Sequence, residues 1–169
     1  AMQPDQDREV RKNALASLAH IADRSQKNGT ALSDSALTAD LVKTSADSDP
    51  LIRQMSAYLL GLMSGDETLD RLNILLQDAD ADTRLNAAIA LARRNSTGGL
   101  DIFTEVLTAG GAVSAAAPID GESLEERQRR VGAQEFEQLL SLSNTLKAVA
   151  EIAGRLSGEQ RDELRRLIE

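Results

Sequence analysis

The 169-residue sequence contains no cysteine and no tryptophan, and it has only one histidine, one tyrosine and two phenylalanines. The missing cysteines exclude disulfides, thiolate metal ligands and a cysteine nucleophile. A single histidine leaves too few imidazole groups for a histidine-based metal centre. So few aromatic side chains argue against a β-sandwich or a β-barrel. We therefore expect a chain that holds neither a metal nor a cofactor.

Long apolar runs are missing as well. No stretch approaches the roughly 18 apolar residues that a membrane-spanning helix requires, and the N-terminal residues lack the basic and apolar regions of a signal peptide. We expect a soluble segment that does not insert into a membrane. The sequence is compatible with either a cytoplasmic or an exported protein. Ala1 before Met2 and the abrupt end at Glu169 suggest a piece of a longer protein.

Alanine and leucine dominate what is present, with 25 residues of each. Both are strong helix formers, so the composition predicts an all-α fold, and the length suffices for one continuous core. The 27 acidic residues outnumber the 19 basic ones and give a net charge of −8. No third of the chain is net basic, although short arginine clusters occur. We therefore expect no nucleic-acid binding, because phosphate backbones require a cationic surface.

A repeat becomes visible when the sequence is shifted against itself by 31 residues. A shift of 42 residues relates a weaker upstream copy to the same pattern, which predicts three units at residues 5–46, 47–77 and 78–107. Each unit is typical of two helices whose apolar stripes require a neighbour for burial. The 31-residue shift places Asp47, Asp49, Arg53, Ala57 and Leu60 on Asp78, Asp80, Arg84, Ala88 and Leu91.

The shared pattern, D-x-D-x-x-x-R-x-x-[AS]-[AL]-x-x-L-[AG], runs from Asp47 to Gly61 and from Asp78 to Ala92. It resembles the HEAT-like repeat family in its short bacterial form. The resemblance implies a right-handed α-solenoid of stacked helical hairpins, with the second helix of each hairpin on the concave side. Such repeats serve mainly as protein-binding scaffolds and only occasionally as enzymes.

The repeated charges predict a structural ladder between units. The resemblance implies hydrogen bonds between the arginines and the turn carboxylates. The alternative, that the arginines form a phosphate-binding row, is less favoured because each arginine lies beside acidic residues that would neutralise it. Residues 78–89 do not fit a calcium-binding loop, because the sixth and twelfth positions are not glycine and glutamate. We expect these ladder residues to be Arg11, Arg53 and Arg84 with Asp47, Asp49, Asp78 and Asp80.

The repeat lapses after Leu107. Residues 108–123 are rich in glycine and alanine and predict a flexible loop, with a ligand loop as the alternative. Residues 124–169 predict an irregular helical pair that caps the third unit, with Ser157 and Gln160 in a capping box. The apolar stripe of this segment could instead form a coiled-coil contact with a second chain. We therefore expect a monomer or a weak dimer. The stripe consists of Phe136, Leu139, Leu142, Leu146, Val149, Ala153 and Leu156.

No residues suggest a catalytic group, because the sequence lacks a nucleophile–base pair and a glycine-rich phosphate loop. We expect a non-catalytic scaffold or adaptor that uses the concave face of the solenoid. Its acidity predicts a protein or peptide partner with basic residues. An accessory module or subunit of an enzyme, similar to the bilin-lyase members of the family, is the alternative, followed by a DNA-binding solenoid. The predicted binding residues are Asp70, Arg71, Ile74, Asp101, Thr104 and Glu105.

Overall fold

The computed structural model describes residues 8–29, 32, 34–110 and 119–168. These ranges contain eight α-helices, and one isolated parallel bridge joins Leu32 to Met63. A short 3-10 turn, Ala153–Arg155, follows the seventh helix. The helices are α1 Arg8–Lys27, α2 Ser35–Thr44, α3 Pro50–Leu62, α4 Asp66–Leu75, α5 Ala81–Arg93, α6 Leu100–Gly110, α7 Leu124–Ile152 and α8 Gly158–Ile168.

Local sequence signals set several helix starts. Asp49 precedes α3, its carboxylate accepts a hydrogen bond from the Leu51 N–H, and Pro50 occupies the first helical position. Asp80 caps α5 in the same way by accepting from the Thr83 N–H. The predicted capping box before α8 is confirmed: the Ser157 N–H donates to the Gln160 side chain, and the Gln160 N–H donates to the Ser157 hydroxyl.

α3 packs against α4, α5 packs against α6, and these helical pairs stack on one another. The odd-numbered first helices form one row, in which α3 contacts α1 and α5, and α5 contacts α7. The second helices α2, α4 and α6 each pack against the first helix that follows, and α8 contacts α6. An amphipathic helix with one apolar face requires such neighbours. The predicted all-α fold of stacked helical pairs is confirmed.

Neighbouring helices approach one another closely where small residues meet. A Cβ placed on Gly61 of α3 would lie 2.5 Å from the Ala90 Cβ of α5. A Cβ on Gly99 would lie 2.5 Å from the Ala88 Cβ. Between these contacts the large side chains form one continuous core, with Leu15, Leu41, Ile52, Leu59, Leu60, Leu72, Leu91, Phe103 and Ile152 fully buried.

The C-terminal stripe packs differently from the prediction. Phe136, Leu139 and Leu146 are 62%, 65% and 40% exposed, whereas Leu142 and Val149 pack against the core. The buried face of α7 consists of Thr145, Ala148 and Ile152, which lie in the C-terminal half of the helix. Within the stripe, Leu142, Val149 and Leu156 therefore lie on the core side, whereas Phe136, Leu139 and Leu146 do not.

The first close contact of α7 with α6 is made by Leu142. Leu142 packs directly against Gly110, the last residue of α6. The α7 helix extends from that contact back to Leu124. Of the predicted loop 108–123, residues 108–110 belong to α6 and residues 111–118 lie outside the described residues.

Candidate interaction surfaces

The side chain of Arg53 links two neighbouring helical pairs. Its Nε and Nη2 donate to the two carboxylate oxygens of Asp78 at 2.9 and 2.8 Å. Its Nη1 donates to the backbone carbonyls of Asp47 and Ser48 at 3.0 and 3.1 Å. The Arg53 and Asp78 side chains are only 15% and 11% exposed. The guanidinium therefore holds its own turn and the following turn together, with bidentate geometry.

Related contacts occur on either side of Arg53. The Nε of Arg11 lies 3.2 Å from the Asp47 carboxylate. Arg84 donates to the carbonyls of Asp78 and Ala79 as Arg53 does to its own turn, but its acidic partner is Glu105 of α6 at 3.3 Å. The sequence offers no third turn carboxylate, because the next position at the 31-residue spacing is Ala109.

The remaining turn carboxylates have other partners. Asp49 pairs with Arg8, and Asp80 accepts a hydrogen bond from the Gln54 amide at 2.9 Å. The hydrogen bonds from Arg53 hold the pKa of Asp78 below its ordinary value despite partial burial. Burial alone would raise the pKa of Asp80, but hydrogen bonds from Gln54 and Thr83 reverse that effect and lower it. All four turn carboxylates therefore serve contacts within the fold.

The predicted partner-binding residues divide into two groups. Asp70, Ile74 and Asp101 are exposed, Ile74 to 60%. The other three make contacts within the fold: the Arg71 Nε donates to the Ser45 hydroxyl at 2.6 Å, which joins α4 to the end of α2. The Thr104 hydroxyl donates to a carbonyl of its own helix, and Glu105 pairs with Arg84.

Unbalanced charge marks the solvent-exposed side chains of α2, α4 and α6, and we name this surface the acidic face. Lys43 is the exposed basic residue on these three helices, because the guanidinium of Arg71 is half-buried against Ser45. Exposed carboxylates outnumber it severalfold. They belong to Asp40, Asp66, Glu67, Asp70, Asp101 and Glu105.

A pair of clefts on the first helices was not predicted from the sequence. Tyr58 lies between them, donates its hydroxyl to the Asp23 carboxylate, and carries the Arg93 guanidinium 5.3 Å from its ring centre. Burial and the Asp23 contact raise the pKa of Tyr58 to about 12. No single motif could indicate the clefts, because their walls come from four helices. One of about 230 Å³ is lined by Leu15, Ala19, Gln54, Met55, Tyr58 and Asn86, and one of about 160 Å³ by Tyr58, Asn86, Ile89, Arg93, Asn144 and Lys147, among others.

The described ranges contain neither a metal-binding cluster nor a membrane-spanning helix. There, no group of three or more histidine, aspartate or glutamate side chains is placed to hold a metal ion. The single histidine, His20, is exposed on α1. None of the helices in these ranges combines the length and apolarity needed to cross a membrane.

Stacked helical pairs tied by arginine–carboxylate contacts define an α-helical repeat protein. A family model described as HEAT repeats matches residues 1–91 and 38–117, which is more than half of the sequence. The chain belongs to the HEAT repeat family. No curated protein matches the sequence. Domains of this family are typically protein-interaction scaffolds and are usually non-catalytic.

Proposed function

We propose that the chain is a non-catalytic scaffold that binds a basic protein segment on its acidic face. The observation that supports this proposal is uncompensated charge. Within the described residues, Asp40, Asp66, Glu67, Asp70 and Asp101 form no ion pair, whereas most other acids of the first three helical pairs cap a helix or hold an arginine. Arg84 already engages Glu105, so this carboxylate contributes less to the face.

The arrangement of the face suits an extended partner. Asp70 and Ile74 are four residues apart on α4, so they lie on one side of the helix, as do Asp101 and Glu105 on α6. Ile74 offers an apolar contact beside carboxylates that attract lysine or arginine. Exposed charges accelerate association and lose strength as salt screens them. We expect affinity to fall between about 0.01 M and 0.15 M ionic strength, over which the Debye length shortens from about 30 to 8 Å.

A direct test measures binding of a fluorescent lysine-rich peptide with one central leucine to the full chain. Asp70→Lys combined with Asp101→Lys should weaken this binding at least about tenfold, because two attractive carboxylates become repulsive cations. The matched control, Asp82→Lys with Glu151→Lys, changes the net charge equally on α5 and α7. This control should retain most of the affinity.

The side chain of Ile74 provides a second measurement. Ile74→Ser should weaken binding about three- to tenfold, since it removes apolar area from the contact without changing any charge. An equal effect of both charge-changing pairs would mean that binding follows net charge alone, and it would overturn the proposed face. A loss confined to the control pair would also overturn it and would point to the clefts around Tyr58.

A further inference from the structure

The smaller of the two clefts beside Tyr58, about 160 Å³, lies between α3, α5 and α7 and is lined mostly by polar side chains. Asn86 and Arg93 reach it from α5, where a spacing of seven residues places them on one side of the helix. Asn144 and Lys147 reach it from α7, three residues apart. Since α5 packs against α7, the two pairs face each other across the cleft. All four side chains can donate hydrogen bonds to the oxygens of an anion.

These donors are not consumed by contacts within the fold. Among the described residues, the side chains of Asn86, Asn144 and Lys147 make no hydrogen bond, and neither Lys147 nor Arg93 forms an ion pair. The Arg93 guanidinium lies 5.3 Å from the centre of the Tyr58 ring, which holds it at the wall of the cleft. The group therefore remains able to bind a ligand.

The charges around the cleft favour an anionic ligand. Of the described side chains that line it, Glu151 is the one carboxylate, against the two cations Arg93 and Lys147. Asp23 of α1 lies on the other side of Tyr58 and already accepts the hydrogen bond of the Tyr58 hydroxyl. The lining consequently has an excess of one positive charge in a chain whose net charge is −8.

An apolar cleft of about 230 Å³ adjoins the polar one, because Tyr58 and Asn86 line both. Its walls include Leu15 and Ala19 of α1 and Met55 of α3. Pockets for small-molecule ligands usually measure roughly 300–1,000 Å³, and each of these clefts is smaller. One cleft suits a carboxylate side chain and the other an apolar side chain. Two such side chains occur close together in a peptide that has an apolar residue among acidic ones.

We propose that the two clefts together bind an acidic protein segment, with a glutamate or aspartate between Arg93 and Lys147 and an apolar neighbour against Met55. The clefts belong to the first helices α1, α3, α5 and α7, whereas the acidic face belongs to α2, α4 and α6. The site is therefore independent of the acidic face and selects a partner of the opposite charge. A chain with both surfaces can bind a basic and an acidic partner together.

Binding of a fluorescent glutamate-rich peptide with one central leucine to the full chain tests the site. Lys147→Glu should weaken this binding about fivefold or more, because an attractive cation becomes a repulsive carboxylate. Lys43→Glu is the matched control, since it makes the same change at an exposed lysine of α2, and it should retain most of the affinity. Glu151→Gln should tighten binding about two- to threefold, because it removes the carboxylate that competes with the peptide.

The lysine variants should unfold at the wild-type temperature, since both side chains are exposed. Replacing the central leucine of the peptide with serine should weaken binding about three- to tenfold and leaves the protein unchanged. Equal losses in Lys147→Glu and Lys43→Glu would mean that binding follows net charge alone, and would overturn the site. If inorganic phosphate displaced the peptide as effectively as unlabelled peptide at equal concentration, the site would hold a single anion and the proposed segment would be wrong.

Tyr58 reports where the peptide binds, because it lies between the clefts and is the only tyrosine in a chain without tryptophan. Unlabelled glutamate-rich peptide should produce a saturable change in the near-ultraviolet circular dichroism of Tyr58. The lysine-rich peptide should leave this signal unchanged, since the acidic face lies on other helices. Binding of the glutamate-rich peptide without a change at Tyr58 would overturn the placement. Absence of any binding would overturn the proposal without affecting the acidic face.

Discussion

Arg53 reaches from α3 to the carboxylate of Asp78, where two of its N–H groups donate to the two oxygens. Its remaining Nη1 donates to carbonyls of the turn before its own helix. A single side chain therefore spans two helical pairs, and both members of the ion pair are largely shielded from solvent. Lysine could supply the charge but not this fixed fork of donors.

Replacing Arg53 with alanine should lower the free energy of unfolding by about 2–3 kcal/mol, because the shielded Asp78 carboxylate loses its partner. Urea denaturation of the two proteins measures the difference. Arg165→Ala is the control, since Arg165 and Asp162 form an exposed pair at 3.6 Å. The control should change stability by less than about 0.5 kcal/mol. Equal losses in the two variants would show that the Arg53–Asp78 pair acts only as a surface contact.

The effect of Arg53→Ala should depend on pH. A carboxyl whose pKa is lowered by folding adds stability above its ordinary pKa, here 3.8, and loses that contribution as pH falls through the lowered value. The stability gap between wild type and Arg53→Ala should therefore be full at pH 7 and shrink in acid below pH 3.8. Urea denaturation across this range measures the gap. A gap that stays constant would contradict an ionic origin.

Gly61→Ala should destabilise the protein by about 1–2 kcal/mol. The new Cβ would lie 2.5 Å from the Ala90 Cβ and 3.0 Å from its Cα, so α3 and α5 must separate. Adding Ala90→Gly should restore part of the loss by removing the clashing methyl group. Gly132→Ala should have the opposite sign and raise stability by about 0.5–1 kcal/mol, because that position is open. Thermal unfolding of the four proteins provides the comparison.

Tyr58 should titrate near pH 12, because burial and the Asp23 carboxylate disfavour the phenolate. It is the only tyrosine in a chain without tryptophan, so near-ultraviolet absorbance reports its ionisation directly. Asp23→Asn should move the midpoint part of the way toward 10, while His20→Gln should leave it unchanged. Because the folded pKa is raised, the associated stability is present below pH 10 and is lost as pH rises toward 12. A wild-type midpoint near 10 would contradict the buried contact.

Helix starts and the repeat were predictable because their signals lie within a few residues or recur at fixed spacing. Asp49 with Pro50 marks a helix start, and Asp47 and Arg53 recur at the 31-residue spacing as Asp78 and Arg84. The partner of Arg84 was not predictable, since the pattern ends where Ala109 replaces a turn carboxylate. The exposure of Phe136 depends on which face of α7 meets its neighbours, and the clefts around Tyr58 combine side chains from four helices. Such features follow from packing and leave no local signal in sequence.

The contact of Arg84 with Glu105 joins α5 to α6 and does not extend to the next helical pair. The described ion pairs of α7 and α8 join residues between 119 and 168, and α7 meets α5 and α6 through packing contacts such as Leu142 against Gly110. Stability in stacked repeats is nearly a sum of units and their interfaces. We expect this final junction to be the joint at which the stack separates first. In single-molecule pulling, α7 and α8 should detach while the arginine-linked helices before them remain folded.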